Sequence, residues 1–368
     1  MTMRQSPAAG RLECGVMLVP TSFTRKQPVT DPQLPLGFDA PDVPMACGET
    51  PKPRSKSRRA GTPQPVEVPD LQTMAATLER HPDYRVLRRL VPTRHFDRTA
   101  LGPVIRVLVL DTETTGLDHG RDKIIELAML RVDVDTATGL PVGDVEVYDE
   151  LEDPGVPISK EIQAITGISG EMVRGKQLDG GRIAAMLAGV ELVIAHNAGF
   201  DRPFCEARIP AFAQLPWGCS FADIDWKKEG RGSAKLEYLA QEKGWFYDAH
   251  RAEIDCHALL AVLAEPLPTT SQSGLAKILA SMVTPCYLLQ ATNAPFEAKD
   301  LLKARAYRWN ADRKVWHTRL ADESQLNAEC EWLKLAVYGG RAARVQVEKL
   351  DAGVKYSSRA GVLSERQI

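Results

Sequence analysis

The sequence predicts an α/β domain in the middle of the chain, a smaller α+β unit after it and a disordered tail before it. VIRVLVLD (104–111) and ELVIAHN (191–197) are runs rich in β-branched residues and leucine, which is typical of buried central strands. Segments with helical spacing follow both runs. Residues 1–68 hold eleven of the twenty-five prolines and show little apolar periodicity, which predicts disorder.

Bulk composition narrows the class of protein. The 368 residues suggest about two domains at roughly 150 residues each, and 44% of them are hydrophobic, enough for a buried core. Runs of about 18 apolar residues, as needed to span a membrane, do not occur, and the first twenty residues lack the apolar segment of a signal peptide. The seven cysteines form no CxxC pair, which predicts reduced thiols in a cytoplasmic protein without a membrane partner.

Charge is distributed unevenly along the chain. Residues 1–66 carry a net charge of +4 and residues 276–368 carry +5, so residues 67–275 carry −11 within the overall −2. An acidic centre repels a polyanion unless cations are bound there. The pattern suits a metal-binding centre whose basic flanks help to hold nucleic acid, although most of these acids fit an ordinary solvated surface equally well.

Local patterns place the elements in chain order. A helical lead-in at 69–100 contains two short amphipathic helices that break at Pro82. The central domain at 101–265 has further strands or helices at 123–134, 145–151, 159–164, 180–188, 235–244 and 252–266, with a turn at 138–143. A linker (266–275) leads to a small α+β domain (276–358) with a strand (286–291), helix (297–305), hairpin (307–320), helix (323–337) and strand (344–350), and residues 359–368 form a tail.

Acidic residues follow the two buried strands. Asp111 and Glu113 lie two residues apart in DTETTG (111–116), so that their carboxylates point to one side, and such oxygen ligands suit Mg²⁺ or Mn²⁺. A simple acidic turn at the strand end is the alternative. Asp201 follows the second strand in HNAGFD (196–201) and brings a third carboxylate to the same edge. His196 and Asn197 position substrate or, equally well, pack and cap the helix.

A fourth carboxylate and a histidine lie in HRAEID (250–255). Asp255 sits on a helix beside an apolar stripe, where a bound metal would account for its charge. His250 lies five residues earlier, and its placement next to a carboxylate suits a general base that takes a proton from water.

The three blocks DTETTGL (111–117), HNAGFD (196–201) and HRAEIDC (250–256) resemble the signature motifs of the DEDDh family of 3′–5′ exonucleases. That family includes the proofreading subunit of bacterial DNA polymerase III and exonuclease X. The resemblance covers roughly residues 104–265 and includes the connecting segment ITGIS (165–169). It implies a ribonuclease H-like fold, with a five-stranded mixed sheet flanked by helices.

The resemblance also implies roles for individual residues. His250 would activate water, and two Mg²⁺ or Mn²⁺ ions would be held by Asp111, Glu113, Asp201 and Asp255. Near the terminal nucleotide it places Thr112, Thr114 and Leu117. The implied reaction releases nucleoside 5′-monophosphates from DNA 3′ ends, most simply from single-stranded ends. The resemblance further implies a role in DNA repair or replication and a location in a bacterial-type cytoplasm, at the nucleoid. An exoribonuclease of the same family and a non-catalytic DNA- or clamp-associated adaptor are the alternatives.

Two flanking segments suggest partners. QLPLGF (33–38) resembles the short peptide with which bacterial proteins dock on the replication sliding clamp, through Gln33, Leu34, Leu36 and Phe38. A basic run at 51–61 suits phosphate contacts or a plain linker. Near the C-terminus, basic residues alternate with aromatic ones through 303–319, a pattern that suits single-stranded nucleic acid unless the tryptophans belong to the core.

Overall fold

The structure is a computed structural model and describes residues 70–368, so the predicted disordered tail, the clamp-like peptide and the basic run lie outside the described residues. The first part of the described chain contains α1 (Leu71–Glu79), β1 (Arg88–Arg89), β2 (His95–Phe96), β3 (Val104–Thr114), β4 (Ile124–Asp135), β5 (Leu140–Leu151), α2 (Lys160–Thr166), α3 (Gly170–Val173), α4 (Gly180–Leu187), β6 (Leu192–Ala195), α5 (Ala198–Arg208), β7 (Trp217–Cys219), α6 (Leu236–Glu242), β8 (Trp245–Phe246), α7 (Ala252–Ala264) and α8 (Gly274–Val283). The second part contains β9 (Cys286–Ala291), α9 (Lys299–Ala304), β10 (Arg308–Asn310), β11 (Val315–Leu320), α10 (Glu323–Trp332), β12 (Arg344–Leu350) and β13 (Val362–Gln367).

The larger sheet is mixed, as predicted. Its strand order is β2-β5-β4-β3-β6-β7. The central strand β3 pairs antiparallel with β4 and parallel with β6, and β7 continues the parallel half. Five strands match the prediction, and the sixth is the two-residue β2 at the edge, where His95 and Phe96 pair with β5.

Helices cover both faces of β3, which explains its continuous apolar sequence. Val107 and Val109 belong to a core built with α6, α7 and α8, whereas Leu108 and Leu110 belong to a second core with α4 and α5. All four side chains are fully buried. A strand that is buried on both faces needs apolar residues at every position. Within β3, the polar residues Arg106 and Asp111 therefore flank the apolar run 107–110.

The prediction of two helices in the lead-in was wrong for the second one. Helix α1 forms as expected, with Asp70 as its N-cap. Arg88 and Arg89, in contrast, form a strand beside Trp245 and Phe246 of β8. The apolar spacing around residues 86–90 suits a helix. The backbone is instead extended, because it finds hydrogen-bond partners more than 150 positions further along the chain.

The boundary between the two predicted domains also shifts. The predicted linker ends in α8, which Ser273 caps through its side chain. Leu275 and Ile278 of α8 are fully buried in the core beneath the larger sheet. The packing of the first domain therefore continues to Val283, because α8 contributes its apolar face to that core rather than to the next unit.

The smaller sheet is antiparallel throughout, in the order β10-β11-β9-β12-β13. Its strands, the hairpin and the helices match the predicted small domain. The predicted tail at 359–368 was wrong, because Val362–Gln367 pair with β12 as an edge strand. This strand is mostly exposed, so its sequence lacks the apolar alternation that would have predicted it.

Two further expectations concern the whole described chain. Five cysteines within residues 70–368 are free thiols and all are buried, in agreement with the prediction of reduced cysteines there. None of the helices in the described residues is long and apolar enough to cross a membrane.

Candidate active site

The end of β3 directs two carboxylates to one side. Asp111 and Glu113 are separated by one residue, and alternate residues of a strand share a face. One carboxylate oxygen of each lies within 4.8 Å of the other and of an oxygen of Asp255. Asp255 comes from the first turn of α7, which packs against β3 and β4. Three residues far apart in sequence thus form one acidic cluster.

Asp201 lies beside this cluster on α5 and is buried. Its Oδ1 accepts hydrogen bonds from the backbone N–H of Thr112, at 3.1 Å, and from the Thr112 hydroxyl, at 2.8 Å. Thr112 lies between Asp111 and Glu113 on β3 and points to the opposite face. It therefore ties the fourth predicted carboxylate to the strand that carries the first two, although Asp201 itself lies outside the 4.8 Å set.

Asp255 is held from three directions. Its Oδ2 accepts hydrogen bonds from the backbone N–H of His250, at 2.8 Å, and of Arg251, at 3.2 Å. Its Oδ1 accepts a hydrogen bond from the Tyr247 hydroxyl at 3.2 Å. These N–H groups precede α7, so Asp255 also compensates the unpaired donors at the start of its own helix. The orientation of this carboxylate is consequently fixed before any ligand binds.

His250 adopts a left-handed backbone conformation, with φ of 65°. Residues other than glycine seldom adopt this conformation, and it costs of order 1 kcal/mol. The hydrogen bond from its N–H to Asp255 supports the conformation. The imidazole is exposed and lines the same cleft as Asp111 and Asp255.

Burial raises the pKa values of all four carboxylates, and repulsion by neighbouring carboxylates adds to this for Asp111, Glu113 and Asp201. Burial, followed by the charges of Asp201 and Asp255, raises the pKa of Asp111 well above its usual value. Burial, followed by the charge of Asp255, raises the pKa of Glu113 to about 8. Burial is also the main cause that raises the pKa of Asp201 to about 7 and that of Asp255 to about 6. A site of this kind binds either protons or cations at neutral pH.

The donor set fits divalent metal ions. Carboxylate oxygens are the hard ligands that Mg²⁺ and Mn²⁺ prefer, and the three closest carboxylates can reach one ion together. A cation would also neutralise the repulsion that raises their pKa values. Asp111, Glu113 and Asp255, with Asp201 adjacent, are therefore suited to hold metal.

One residue that supports the site escaped the sequence analysis. Glu126 of β4 is 1% exposed and pairs with Glu113 in the sheet register. Its carboxylate accepts a 2.8 Å hydrogen bond from the Arg251 guanidinium and a 2.9 Å hydrogen bond from the N–H of Ala252. Glu126 thereby anchors the start of α7, next to His250. The signal was present in the sequence, as a single acid within the apolar run IIELAML.

Two of the four carboxylates, Asp111 and Asp255, line a cleft of about 460 Å³. The cleft also contains side chains that the sequence analysis did not select, namely Phe221, Lys235, Leu236, Glu237 and Tyr247. His196 and Asn197 line it as well. The acidic side chains of this cleft outnumber its one lysine or arginine side chain, Lys235. A phosphate-containing ligand would therefore be repelled unless metal ions neutralise the carboxylates.

The structure separates the two roles considered for His196 and Asn197. The Nδ1 atom of His196 lies 2.7 Å from the Ser220 hydroxyl, and burial lowers its pKa to about 4, so the ring is neutral. The ring also packs edge-on against Phe221. Asn197 precedes α5 with φ of 70° and makes no side-chain capping hydrogen bond. Its side chain therefore has no capping role here, and both residues line the cleft.

The other predicted substrate contacts differ in availability. The Thr112 hydroxyl is engaged with Asp201, and the Thr114 hydroxyl donates a 2.6 Å hydrogen bond to the carbonyl oxygen of Gly116. Leu117 is 85% exposed at the tip of the loop after β3. Of these three side chains, only Leu117 presents most of its surface for contact with a ligand.

Comparison with known proteins agrees with the position of the site. Residues 108–263 match the family described as Exonuclease. The chain is 34% identical over 118 residues to DNA polymerase III PolC-type of Thermotoga maritima, covering 32% of this chain and 8% of that protein. It is 38% identical over 100 residues to the DNA polymerase III subunit epsilon-like protein of Rhodobacter capsulatus, covering 26% of this chain and 14% of that protein. The similarity thus spans only a small part of these relatives.

A solved structure is also similar. Exonuclease X in complex with 5′ overhanging duplex DNA is 26% identical, with a TM-score of 0.34, and the alignment covers 47% of this chain and 97% of that one. The family match begins within β3 and ends within α7, so it includes all five residues of the predicted catalytic set.

Proposed function

We propose that this protein is a DEDD-type 3′–5′ exonuclease that removes nucleoside 5′-monophosphates from the 3′ ends of DNA; the match of residues 108–263 to the family described as Exonuclease supports this. The observation that carries the proposal is the meeting of Asp111, Glu113 and Asp255 within 4.8 Å, in a cleft that His250 also lines. Such a constellation is suited to metal-assisted hydrolysis of a phosphodiester.

The carboxylates would hold two divalent cations, Mg²⁺ or Mn²⁺. Bound cations would supply charge neutralisation for the attacking water and for the leaving 3′-oxygen. Asp111 and Glu113 contribute ligands from a rigid strand, and Asp255 contributes one from a helix start that Glu126 anchors. Asp201 is positioned by Thr112 and completes the set of four.

His250 is the proposed general base. Its imidazole is exposed in the cleft, so it can reach a water molecule next to the scissile phosphate. The backbone N–H of the same residue is fixed to Asp255 at 2.8 Å. This hydrogen bond couples the position of the proposed base to that of Asp255, a proposed metal ligand.

The choice of DNA rests on the relatives, which are named as DNA polymerase III proteins. An exoribonuclease has the same carboxylates and histidine and stays the nearest alternative. A non-catalytic adaptor is less well supported, since all five residues of the proposed catalytic set are present. Asp111, Glu113 and Asp255 form the acidic cluster, and His250 lines the cleft beside it.

A matched digestion experiment tests the proposal. The full chain would be incubated with Mg²⁺ and 5′-labelled single-stranded DNA, duplex DNA or RNA of one sequence, beside Asp111→Ala. The control variant is Asp133→Ala, which removes a partly exposed acid of β4 outside the cleft. A one-nucleotide ladder on DNA that only Asp111→Ala abolishes would support the proposal. A ladder on RNA alone would move the protein to RNA processing, and none on any substrate, with Mn²⁺ also tried, would leave the adaptor.

We also propose a place in DNA repair or replication, at the nucleoid, with docking on the sliding clamp through Gln33, Leu34, Leu36 and Phe38. The docking proposal rests on the sequence pattern of this segment. Its test is binding of the full chain to an immobilised bacterial clamp, compared with a Leu36→Ala, Phe38→Ala variant. Equal binding by the two chains would refute it.

A further inference from the structure

The two faces of the smaller sheet differ in character. Apolar residues of α9 and α10 pack with Leu289 of β9 and Val347 of β12 on one face. Gln290 and Gln346 alternate with these residues, so they project to the other face. That second surface is called the open face below. One row of paired residues crosses all five strands on it: Arg308, His317, Gln290, Gln346 and Glu365.

The row is entirely polar, and its central member is buried. Gln290 is only 2% exposed, and its Nε2 atom has no hydrogen-bond partner within residues 70–368. An unpaired buried amide costs about 1–3 kcal/mol. An ordinary solvated face would leave this side chain in contact with water. The amide of Gln290 is therefore available to a hydrogen-bond partner from outside the described residues, and a ligand in the adjoining groove can supply one.

Gln290 lies where two grooves of the open face meet. The larger groove has a volume of about 520 Å³ and is lined by Gln290, Gln346 and Arg313, among others. A smaller one of about 30 Å³ shares Gln290 and Arg313 and continues to His317. The unpaired amide therefore faces a space in which a ligand of nucleotide size can lie across the strands.

The end of the open face formed by β10 and β11 is cationic. Arg308 and Arg319 have no carboxylate within 4.0 Å among the described residues, whereas Arg313 lies 3.7 Å from Glu348. The pKa of His317 is below its usual value, because of burial and then the positive charges of Arg308 and Arg313. The Arg319 guanidinium lies over the ring of Tyr356, 5.0 Å from its centroid. Because neither Arg308 nor Arg319 is paired with a carboxylate among the described residues, both can complement an anion that approaches along β11.

We propose that the open face binds a single-stranded segment of the nucleic acid whose 3′ end enters the active site; this inference rests on the proposed function. Arg308 and Arg319 would contact phosphates, and the amide of Gln290 would bind a base edge in the groove. Base stacking is not the basis of this contact. Trp309 and Trp316 pair with one another on the opposite, helix-covered face, where Trp316 packs against the core.

Binding without cleavage tests the proposal. Full-length protein carrying Asp111→Ala would be titrated into a fluorescein-labelled single-stranded oligodeoxynucleotide, with anisotropy measured over a range of salt concentrations. Adding Arg308→Ala and Arg319→Ala is expected to weaken binding by at least about fivefold and to reduce the magnitude of the slope of log K against log salt by about 1.4, since two phosphate contacts with a single strand are lost. Gln290→Leu is expected to weaken binding by about fivefold without changing the slope.

The control is Lys303→Ala, which removes an exposed charge of α9 on the helix-covered side. It is expected to change neither affinity nor slope. Thermal unfolding of each variant separates lost binding from lost folding, and Gln290→Leu is expected to keep the parent Tm, because it removes an unpaired amide. Arginine variants that are folded and bind like the parent would overturn the proposal.

The anisotropy titration measures binding and does not require catalysis. If the protein with Asp111 intact cleaves no nucleic acid, the proposed exonuclease function fails, while the anisotropy titration still reports on the open face. If it cleaves DNA but the open-face variants bind like the parent, only the open-face proposal fails.

Discussion

Arg202 of α5 donates a 2.5 Å hydrogen bond to the carbonyl oxygen of Lys355, in the segment between β12 and β13. A second amine of the same guanidinium donates to the carbonyl oxygen of Gly353 at 2.6 Å, and Nε pairs with Glu206 at 2.6 Å. The Arg202 side chain is 0% exposed and directly follows Asp201. The helix that carries Asp201 is therefore fixed to the segment between β12 and β13 by one buried cation.

Replacing this cation should destabilise the fold. Arg202→Met keeps the length of the side chain but removes the guanidinium donor from the Lys355 carbonyl and one of the two arginines at Glu206, so that only Arg359 is left there. The free energy of unfolding, measured by urea titration, is expected to fall by about 3 kcal/mol. The control is Arg208→Met on the same helix. Its side chain is 47% exposed and pairs with Glu152, so the expected loss is about 1 kcal/mol or less. Equal losses in the two variants would contradict this role.

Thr112 should act through Asp201 rather than through substrate. Thr112→Val preserves shape and the backbone hydrogen bond but removes the 2.8 Å hydroxyl hydrogen bond to Asp201. Loss of a hydrogen-bond partner of a metal ligand typically lowers metal affinity or activity 10- to 100-fold. We therefore expect kcat to fall by about tenfold, with a smaller change in KM. Thr136→Val serves as control, because it removes a hydroxyl hydrogen bond of the same length to Pro103, outside the site. If Thr112→Val raises KM and leaves kcat unchanged, the hydroxyl contacts substrate.

His250 offers a way to separate backbone strain from chemistry. Its φ of 65° favours glycine. His250→Gly and His250→Ala should both lower kcat by about a hundredfold or more, because each removes the base. The glycine variant should unfold at higher urea concentration than the alanine variant, by about 1 kcal/mol in free energy. Equal stability of the two variants would mean that the strained conformation is not kept in solution.

The acidic cluster should make the metal-free protein less stable as the pH rises. The folded-state pKa of Glu113 is about 8 and that of Asp201 about 7, whereas unfolded carboxyl groups titrate near 4. Between about pH 4 and pH 8 the folded chain holds protons that the unfolded chain releases, so stability falls with rising pH. With EDTA, Tm is therefore expected to be lower at about pH 8 than at about pH 5.5.

Mg²⁺ is expected to bind the ionised form of the carboxylates. The increase in Tm that Mg²⁺ causes should therefore be larger at the higher pH. Thermal unfolding with EDTA or Mg²⁺ at both pH values measures this difference directly. Glu113→Gln should reduce both the pH dependence and the Mg²⁺ effect. An Mg²⁺ stabilisation that is equal at the two pH values would argue against binding at this cluster.

The sequence by itself determined the central strands and the acidic residues of the site. The continuous apolar run before Asp111 predicted a strand covered on both faces, and the carboxylates that follow this run marked the site. The helices α5 and α7 were likewise predictable, because the position of α5 after the buried strand β6 and the apolar stripe of α7 are local properties of the sequence.

Only the tertiary structure decided the contacts between segments remote in sequence. Glu126 meets Arg251 across 125 positions, and Arg202 meets Lys355 across 153. Such pairs depend on how helices are laid against a sheet, and a residue's own neighbours do not encode this. The same reason explains the misassigned segments. Arg88–Arg89 and Val362–Gln367 are extended because a partner strand supplies their hydrogen bonds, not because their own sequences alternate in polarity.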